Sequence, residues 1–259
     1  MIDTDPGWNH FVIFPASEQR TGRDGTPSFR HHDYFCTYAQ RIGEPDCRIS
    51  TLGLPWHPTY PPVVMDQWQA CPSVPSWTTI MSWMSYRRPI LHDGVCYGNK
   101  DREFWSVKDV PSRVRVPFEV ALGGGNPPIN ELQECGMVRD PREVSATAAD
   151  YHHYVSSSRG EFSVAKNVYV ATRSGWFSGR STCYLAAGRP VILQDTGFSE
   201  LLPTGRGLLA FTSAEEAINA VIEVEQDYPT HQAAAREIAA KHFASDLVLT
   251  DLLNYVGIR

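Results

Sequence analysis

The stretch Arg173-Ser174-Gly175-Trp176-Phe177-Ser178-Gly179-Arg180-Ser181, continued by Thr182-Cys183-Tyr184-Leu185-Ala186-Ala187-Gly188-Arg189-Pro190-Val191, decides how this sequence is read. Residues 180–187 fit a helix closed by Gly188, the residue type that most easily takes the left-handed conformation past a helix end. Beyond it, Val191-Ile192-Leu193-Gln194 is a short apolar run suited to a buried parallel strand, and upstream Asn167-Val168-Tyr169-Val170-Ala171 reads as another. The glycine-rich segment then joins a strand to a helix N-terminus near Gly179. Such an end offers unpaired N–H groups and a positive dipole, the physical requirements for holding a diphosphate. Ser178 and Ser181 add hydroxyl donors, and Arg173 and Arg180 add guanidinium forks for phosphate oxygens. An N-cap serine with solvated arginines is the plain alternative.

Working outward, an alternation of strands and helices extends from about residue 114 to the end of the chain. A strand over 114–122 runs into Gly123-Gly124-Gly125, where Gly123 and Gly124 let a ligand or another backbone approach closely, and a short helix follows through Asn130 to Cys135. After the second apolar run comes Asp195-Thr196-Gly197, a short carboxylate beyond a strand end that can bind sugar hydroxyls or simply form an Asx turn. Lys166, Arg159 and Glu161 are further polar candidates on the approach. Ser213-Ala214-Glu215-Glu216 reads as a capping box opening a helix that Pro229 stops. A second helix runs from about His231 to Phe243, and Ser245 caps a third. Strands alternating with helices imply a parallel sheet covered on both faces.

Residues 1–113 have another texture, rich in Trp, Pro and Tyr. Segments 33–38 and 77–81 look like strands, while Leu54-Pro55-Trp56-His57-Pro58-Thr59-Tyr60-Pro61-Pro62 is expected to be irregular, because each proline lacks an N–H. The expectation is two units, a partial N-terminal α/β domain over 1–113 and a Rossmann-like domain over 114–259.

Composition narrows the function. The 259 residues carry a net charge of -6, with 42% hydrophobic and 20% charged residues, so no basic field for nucleic acid is present. No apolar run is long enough to span a bilayer, and the first residues lack the basic and apolar regions of a signal peptide, which leaves a cytoplasmic location as the default. The six cysteines are scattered without a C-x-x-C pair and read as free thiols.

The segment 173–191, with Gln194-Asp195-Thr196-Gly197-Phe198-Ser199-Glu200 and Gly205-Arg206-Gly207-Leu208-Leu209-Ala210-Phe211 after it, resembles the donor site of family-1-type bacterial glycosyltransferases. Tyr97-Gly98-Asn99-Lys100-Asp101-Arg102-Glu103-Phe104 and residues 158–166 continue the likeness. The resemblance implies a GT-B architecture, in which two Rossmann-like domains face each other across a cleft. It further implies a nucleotide-diphosphate sugar as donor, an acceptor hydroxyl, no cofactor and no bound metal. The donor-binding residues it points to are Gly123, Gly124, Lys166, Arg173, Ser178, Gly179, Arg180, Ser181, Asp195, Thr196 and Gly197. Many such proteins place a Glu where Cys183 stands, and a complete first domain would need roughly 100 more residues. A non-catalytic nucleotide-sugar-binding remnant or partner subunit is the alternative. On this reading, Arg180→Ala weakens nucleotide binding far more than it lowers stability.

A competing signal is Asp3-Thr4-Asp5-Pro6-Gly7, similar to the calcium-binding start of nucleoside hydrolases. Here Trp8-Asn9-His10 replaces the expected further carboxylates, which leaves too little charge for a hard cation. A turn after a strand explains the run as well.

Overall fold

The computed structural model describes residues 1–24, 28–69, 71–134 and 137–258. Two parallel sheets organise it. The first is small: β1 (Ile2–Asp3), β2 (Phe35–Thr37) and β3 (Trp56–Pro58) lie in that order. Helices α1 (Pro6–Trp8) and α2 (Phe14–Asp24), joined by a π-helical turn at Asn9–Ile13, lie between β1 and β2. Phe14, Phe29 and Phe35 form the core beneath them.

The strand at Trp56–Pro58 corrects the expectation that 54–62 is irregular. Its partners are Phe35 and Thr37, and Pro58 stands as the last residue of an edge strand, where a missing N–H breaks no ladder.

The second sheet has six strands. In chain order they are β4 (Trp77–Ser82), β7 (Phe118–Gly123), β8 (Met137–Arg139), β9 (Gly160–Ser163), β10 (Val191–Gln194) and β11 (Leu208–Phe211). A small antiparallel hairpin, β5 (Ile90–His92) with β6 (Val95–Tyr97), follows β4. Across the large sheet the order is β11-β10-β9-β4-β7-β8, all parallel. Numbered within the sheet, this is 3-2-1-4-5-6 from the β8 edge, the doubly wound order whose ligand crevice opens where the winding reverses. The reversal falls between β4 and β9. A boundary at 113/114 would part β4 from the rest of this sheet, since β4 lies before it and both its partners, β7 and β9, lie after it.

The helices are α3 (Lys100–Phe104), α4 (Val110–Arg113), α5 (Ile129–Glu134), α6 (Pro141–Ser145), α7 (Ala148–Ser157), α8 (Asn167–Ala171), α9 (Gly179–Ala186), α10 (Ala214–Gln226), α11 (Tyr228–His242) and α12 (Ser245–Tyr255). One core joins Trp77, Phe118, Phe162, Ile192 and Leu209 of the strands to Ile218, Val221 and Val224 of α10. Another joins Val191, Leu193 and Leu208 to Tyr184 and Leu185 of α9 and to Ile238 and Ala239 of α11. Each such side chain contributes about 1.5–3 kcal/mol on burial. Together they make β10 and β11 buried on both sides, which is why those strands read as unbroken apolar runs.

Residues 167–171 form α8 and not the expected strand. Five apolar residues do not distinguish strand from helix by periodicity. The neighbours decide: β9 already pairs with β4 and β10, while Asn167 is drawn out by Glu103 (2.6 Å) and by the Gly98 amide (2.8 Å). Three helix ends also differ. Pro229 opens α11 in its first turn and does not stop α10, and the helix expected from His231 begins at Tyr228. Ser245 is the first residue of α12, with Ala244 in the cap position, because its amide donates to Val63 O (2.9 Å). The Ser213 hydroxyl does accept from the Glu216 amide (3.2 Å), while Glu216 reaches back to the Thr212 amide (2.7 Å). Cys135 lies outside the described residues, and the other five cysteines are free. Among the described residues no helix is long and apolar enough to cross a membrane.

Candidate functional site

At the reversal point, β4 ends at Ser82 and β9 at Ser163, and the two chains leave in different directions. A cleft of about 400 Å³ opens there, lined among others by Ser82, Lys100, Gly123, Lys166, Trp176 and Arg180. Gly123 closes β7 at its rim. Gly124, with φ of 88°, lets the β7 loop pass the β4 loop: a Cβ there would meet Met84 O at 3.0 Å and Trp83 N at 3.1 Å. Its role is close approach of backbone.

Helix α9 begins beside this cleft. The Ser178 hydroxyl accepts from the Arg180 amide (3.2 Å), and Gly179 lies under Pro61, which a Cβ would meet at 3.3 Å. Ser181 Oγ is buried with no protein hydrogen-bond partner. Arg180 itself turns inward. Its Nε donates to Glu161 Oε1 (2.6 Å), one terminal nitrogen donates to Ser163 Oγ (2.9 Å) and the other to Ile80 O. Glu161 is fully buried in the middle of the sheet, where an ionised carboxylate needs a cation. Arg180 is therefore a counter-ion first, and the expectation that its loss spares stability does not fit its surroundings. Cys183, one turn on, donates to Gly179 O (3.2 Å), and burial pushes its thiol up to about 11.

Lys166 caps α8 at the opposite wall. Its ammonium donates to Asp5 Oδ2 (2.7 Å) and to the Tyr86 hydroxyl (3.0 Å), and sits 4.3 Å from the centre of the Tyr86 ring. Asp5 comes from the first unit and also accepts from the hydroxyls of Tyr86 (2.5 Å) and Tyr169 (2.7 Å). Burial, then the Asp5 charge, hold both phenols far above their ordinary range. Trp176 stacks on Tyr169 at 4.4 Å and donates its indole N–H to Thr4 O (3.2 Å).

Lys100, the first residue of α3, is the third basic side chain of the cleft. It is buried, and its ammonium reaches Ser163 Oγ at 3.3 Å. Asn99, just before it, fixes the loop after β4 by accepting from the amides of Ser85 (3.0 Å) and Tyr86 (2.9 Å). Lys100, Trp176 and Ser82 line the cleft without being among the residues expected from the sequence. A lysine opening a helix after Gly98-Asn99 was the available signal.

The remaining expected residues lie elsewhere. Arg173 bonds Asp46 (2.7 Å) and Glu200, both also partners of Arg41, in an ion-pair cluster that joins the two units. Asp195 makes a tight Asx turn, accepting from Gly197 N (2.9 Å) and the Ser199 hydroxyl (2.7 Å). Thr196 donates to Trp176 O (2.7 Å), and Gly197, with φ of 95°, passes close to Arg41. These four support the loop that carries Trp176; the cleft wall itself is made by others. Of the N-terminal carboxylates, Asp3 is buried and accepts from Asn9 (2.6 Å), Thr37 (3.0 Å) and His10, whose Nε2 is 3.1 Å away. With Asp5 bound to Lys166, the two face different protein donors and share no cation seat.

No protein-family model matches the chain, and no curated protein matches it. Solved structures do. An α-glucosyltransferase crystallised with UDP superposes with a TM-score of 0.56 at 10% identity, over 88% of this chain and 67% of its own. Anabaena HepE in complex with UDP-glucose gives 0.54 at 11% identity, over 78% and 57%. The sucrose-phosphate synthase of Thermosynechococcus elongatus gives 0.52 at 13% identity, over 85% and 57%. The chain spans from 39% of the length of TarM to 57% of that synthase. Identities this low speak for architecture alone, and on that ground the chain has the GT-B fold of these glycosyltransferases.

Proposed function

We propose that the cleft between β4 and β9 binds a nucleotide-diphosphate sugar, and that the protein of which this fold is the working part transfers the sugar to an acceptor hydroxyl. The observation that carries this reading is the convergence of Lys100, Lys166 and Arg180 on one crevice beside the start of α9. Glu161 is the partner of Arg180 and Asp5 that of Lys166, and among the described residues Lys100 has no carboxylate partner of its own. A diphosphate supplies the negative charge that Lys100 lacks. In sugar transfer the bond from the anomeric carbon to the diphosphate oxygen breaks, and negative charge grows on the departing diphosphate. Fixed cations and helix N–H groups stabilise that charge with no reorganisation at the moment of reaction. These groups take the place that a metal ion fills in other phosphate sites. Trp176 offers the cleft an indole face and its neighbour Tyr169 holds it in place.

The reading is tested by thermal-shift titration with UDP, GDP, UDP-glucose and GDP-mannose, with and without calcium. A ligand that binds the folded state raises the melting temperature by mass action. Stabilisation by one nucleotide family, unchanged by calcium, is the expected result. No response to any of the four, or a response to calcium alone, defeats it.

A further inference from the structure

The three basic side chains of the cleft are not equivalently supported. Arg180 has Glu161 and Lys166 has Asp5. Lys100 has neither: among the described residues no carboxylate lies within 4 Å of its ammonium, and its partner is the hydroxyl of Ser163, which already receives a hydrogen bond from Arg180. The charged groups that face it are Glu161 from β9, Arg180 from α9 and Lys166 from the cap of α8, two cations against one carboxylate that is committed to Arg180. On its own helix, Glu103 is turned to Asn167 (2.6 Å) and Gln194 (2.5 Å). A lysine that is buried, beside like charges and without a counter-ion, is more stable without its proton.

We infer that Lys100 is a neutral amine in the empty cleft and takes up a proton when the diphosphate arrives, so that this site binds its anion together with one proton. The inference rests on the nucleotide reading above and adds a coupling to it. Burial first, then Arg180, hold the amine well below the ordinary lysine value, in the direction this requires. A diphosphate beside it reverses the balance, because the anion favours the charged form. The sign follows from linkage. Below the free-state value Lys100 is charged with or without ligand, and above the bound-state value it is neutral in both. Between the two, each binding event draws one proton from the buffer, and affinity falls up to tenfold per pH unit as pH rises. The cleft lining contains no histidine that would mimic this. The terminal phosphate of UDP, with its last ionisation near about 6, is already fully charged at the alkaline pH used.

Two measurements test it. The chain contains four lysines, Lys100, Lys108, Lys166 and Lys241, so NMR of lysine labelled with ¹³C at Cε yields four signals to follow with pH. In the unliganded protein one signal titrates far below the other three and is absent in Lys100→Arg. Added UDP returns it to the charged position. Four signals that all titrate near about 10.4 overturn the inference whether or not nucleotide binds. Calorimetry of UDP at about pH 8, in buffers of different ionisation heat, is expected to show uptake of close to one proton by the wild type. Lys100→Arg, charged throughout, takes up none. Binding of UDP by the wild type with no buffer-dependent heat and a flat pH profile overturns the coupling alone. Failure of UDP and GDP to bind at every pH overturns the nucleotide reading, and the coupling with it.

Discussion

Arg173 and Arg180 leave the same glycine-rich loop seven positions apart and meet opposite surroundings. Arg180 is carried by the first turn of α9 under the sheet, where fully buried Glu161 waits for it. Arg173 stays at the rim, 45% exposed, shared between Asp46 and Glu200. As letters in a sequence the two are equal phosphate candidates. In the fold one is a buried counter-ion whose edge lines the cleft, and the other is part of a wet strap between two units. Burial separates them: water screens the rim pairs and has little access to the other, whose carboxylate is fully buried.

Breaking the buried pair gives the largest effect. Arg180→Ala leaves the buried Glu161 carboxyl without its partner in the sheet interior, and should cost about 3–5 kcal/mol in urea unfolding as well as nucleotide affinity. A loss of affinity with stability untouched would show that Glu161 has another route to neutrality. Replacing both partners sharpens the point. Arg180→Met with Glu161→Met removes the desolvation cost along with the pair, and should restore most of the lost stability without restoring nucleotide binding. Stability that stays low would mean the hydrogen bonds to Ile80 and Ser163 matter more than the charges.

The rim cluster responds to acid. Hydrogen bonds from Arg41, then Arg173, hold Asp46 at about 2, below its ordinary 3.8. A depressed carboxylate contributes stability above its unfolded value and loses it as pH falls toward the folded one. Part of the decline in melting temperature between about pH 4 and pH 2 should therefore vanish in Asp46→Asn. An identical acid profile in the variant removes Asp46 from the account. The smallest effect belongs to Arg173→Ala, which should leave the melting temperature nearly unchanged, because Arg41 keeps both carboxylates paired. A large loss there would make the strap, and not the sheet, the main tie between the units.

Much of the second unit was legible. Val191–Gln194, Leu208–Phe211 and the helices after them announced themselves because burial on both faces leaves an unbroken apolar run, and helices keep a 3.6-residue stripe. Of the residues expected at a donor site, Gly123, Lys166 and Arg180 line the crevice, with Ser178 and Gly179 just ahead of Arg180. Lys100 reaches the crevice from the start of α3, far from the glycine-rich loop, and Trp176 stands in that loop as an aromatic whose place at the crevice depends on Tyr169 and Thr4. Asn167–Ala171 was misread for a related reason: five apolar residues fit either periodicity, and the sheet had no vacant place for them.

By itself the sequence determined an alternating α/β chain with a helix starting after Ser178, because local periodicity and capping chemistry depend on near neighbours. Strand order was decided by the tertiary structure alone. It brought β4 across the expected boundary to lie against β9, placed Asp5 on Lys166 over 161 positions and left Lys100 without a carboxylate. Those facts turn on which distant groups share a buried space, and the energy of a buried charge depends on its surroundings and not on its neighbours in the chain.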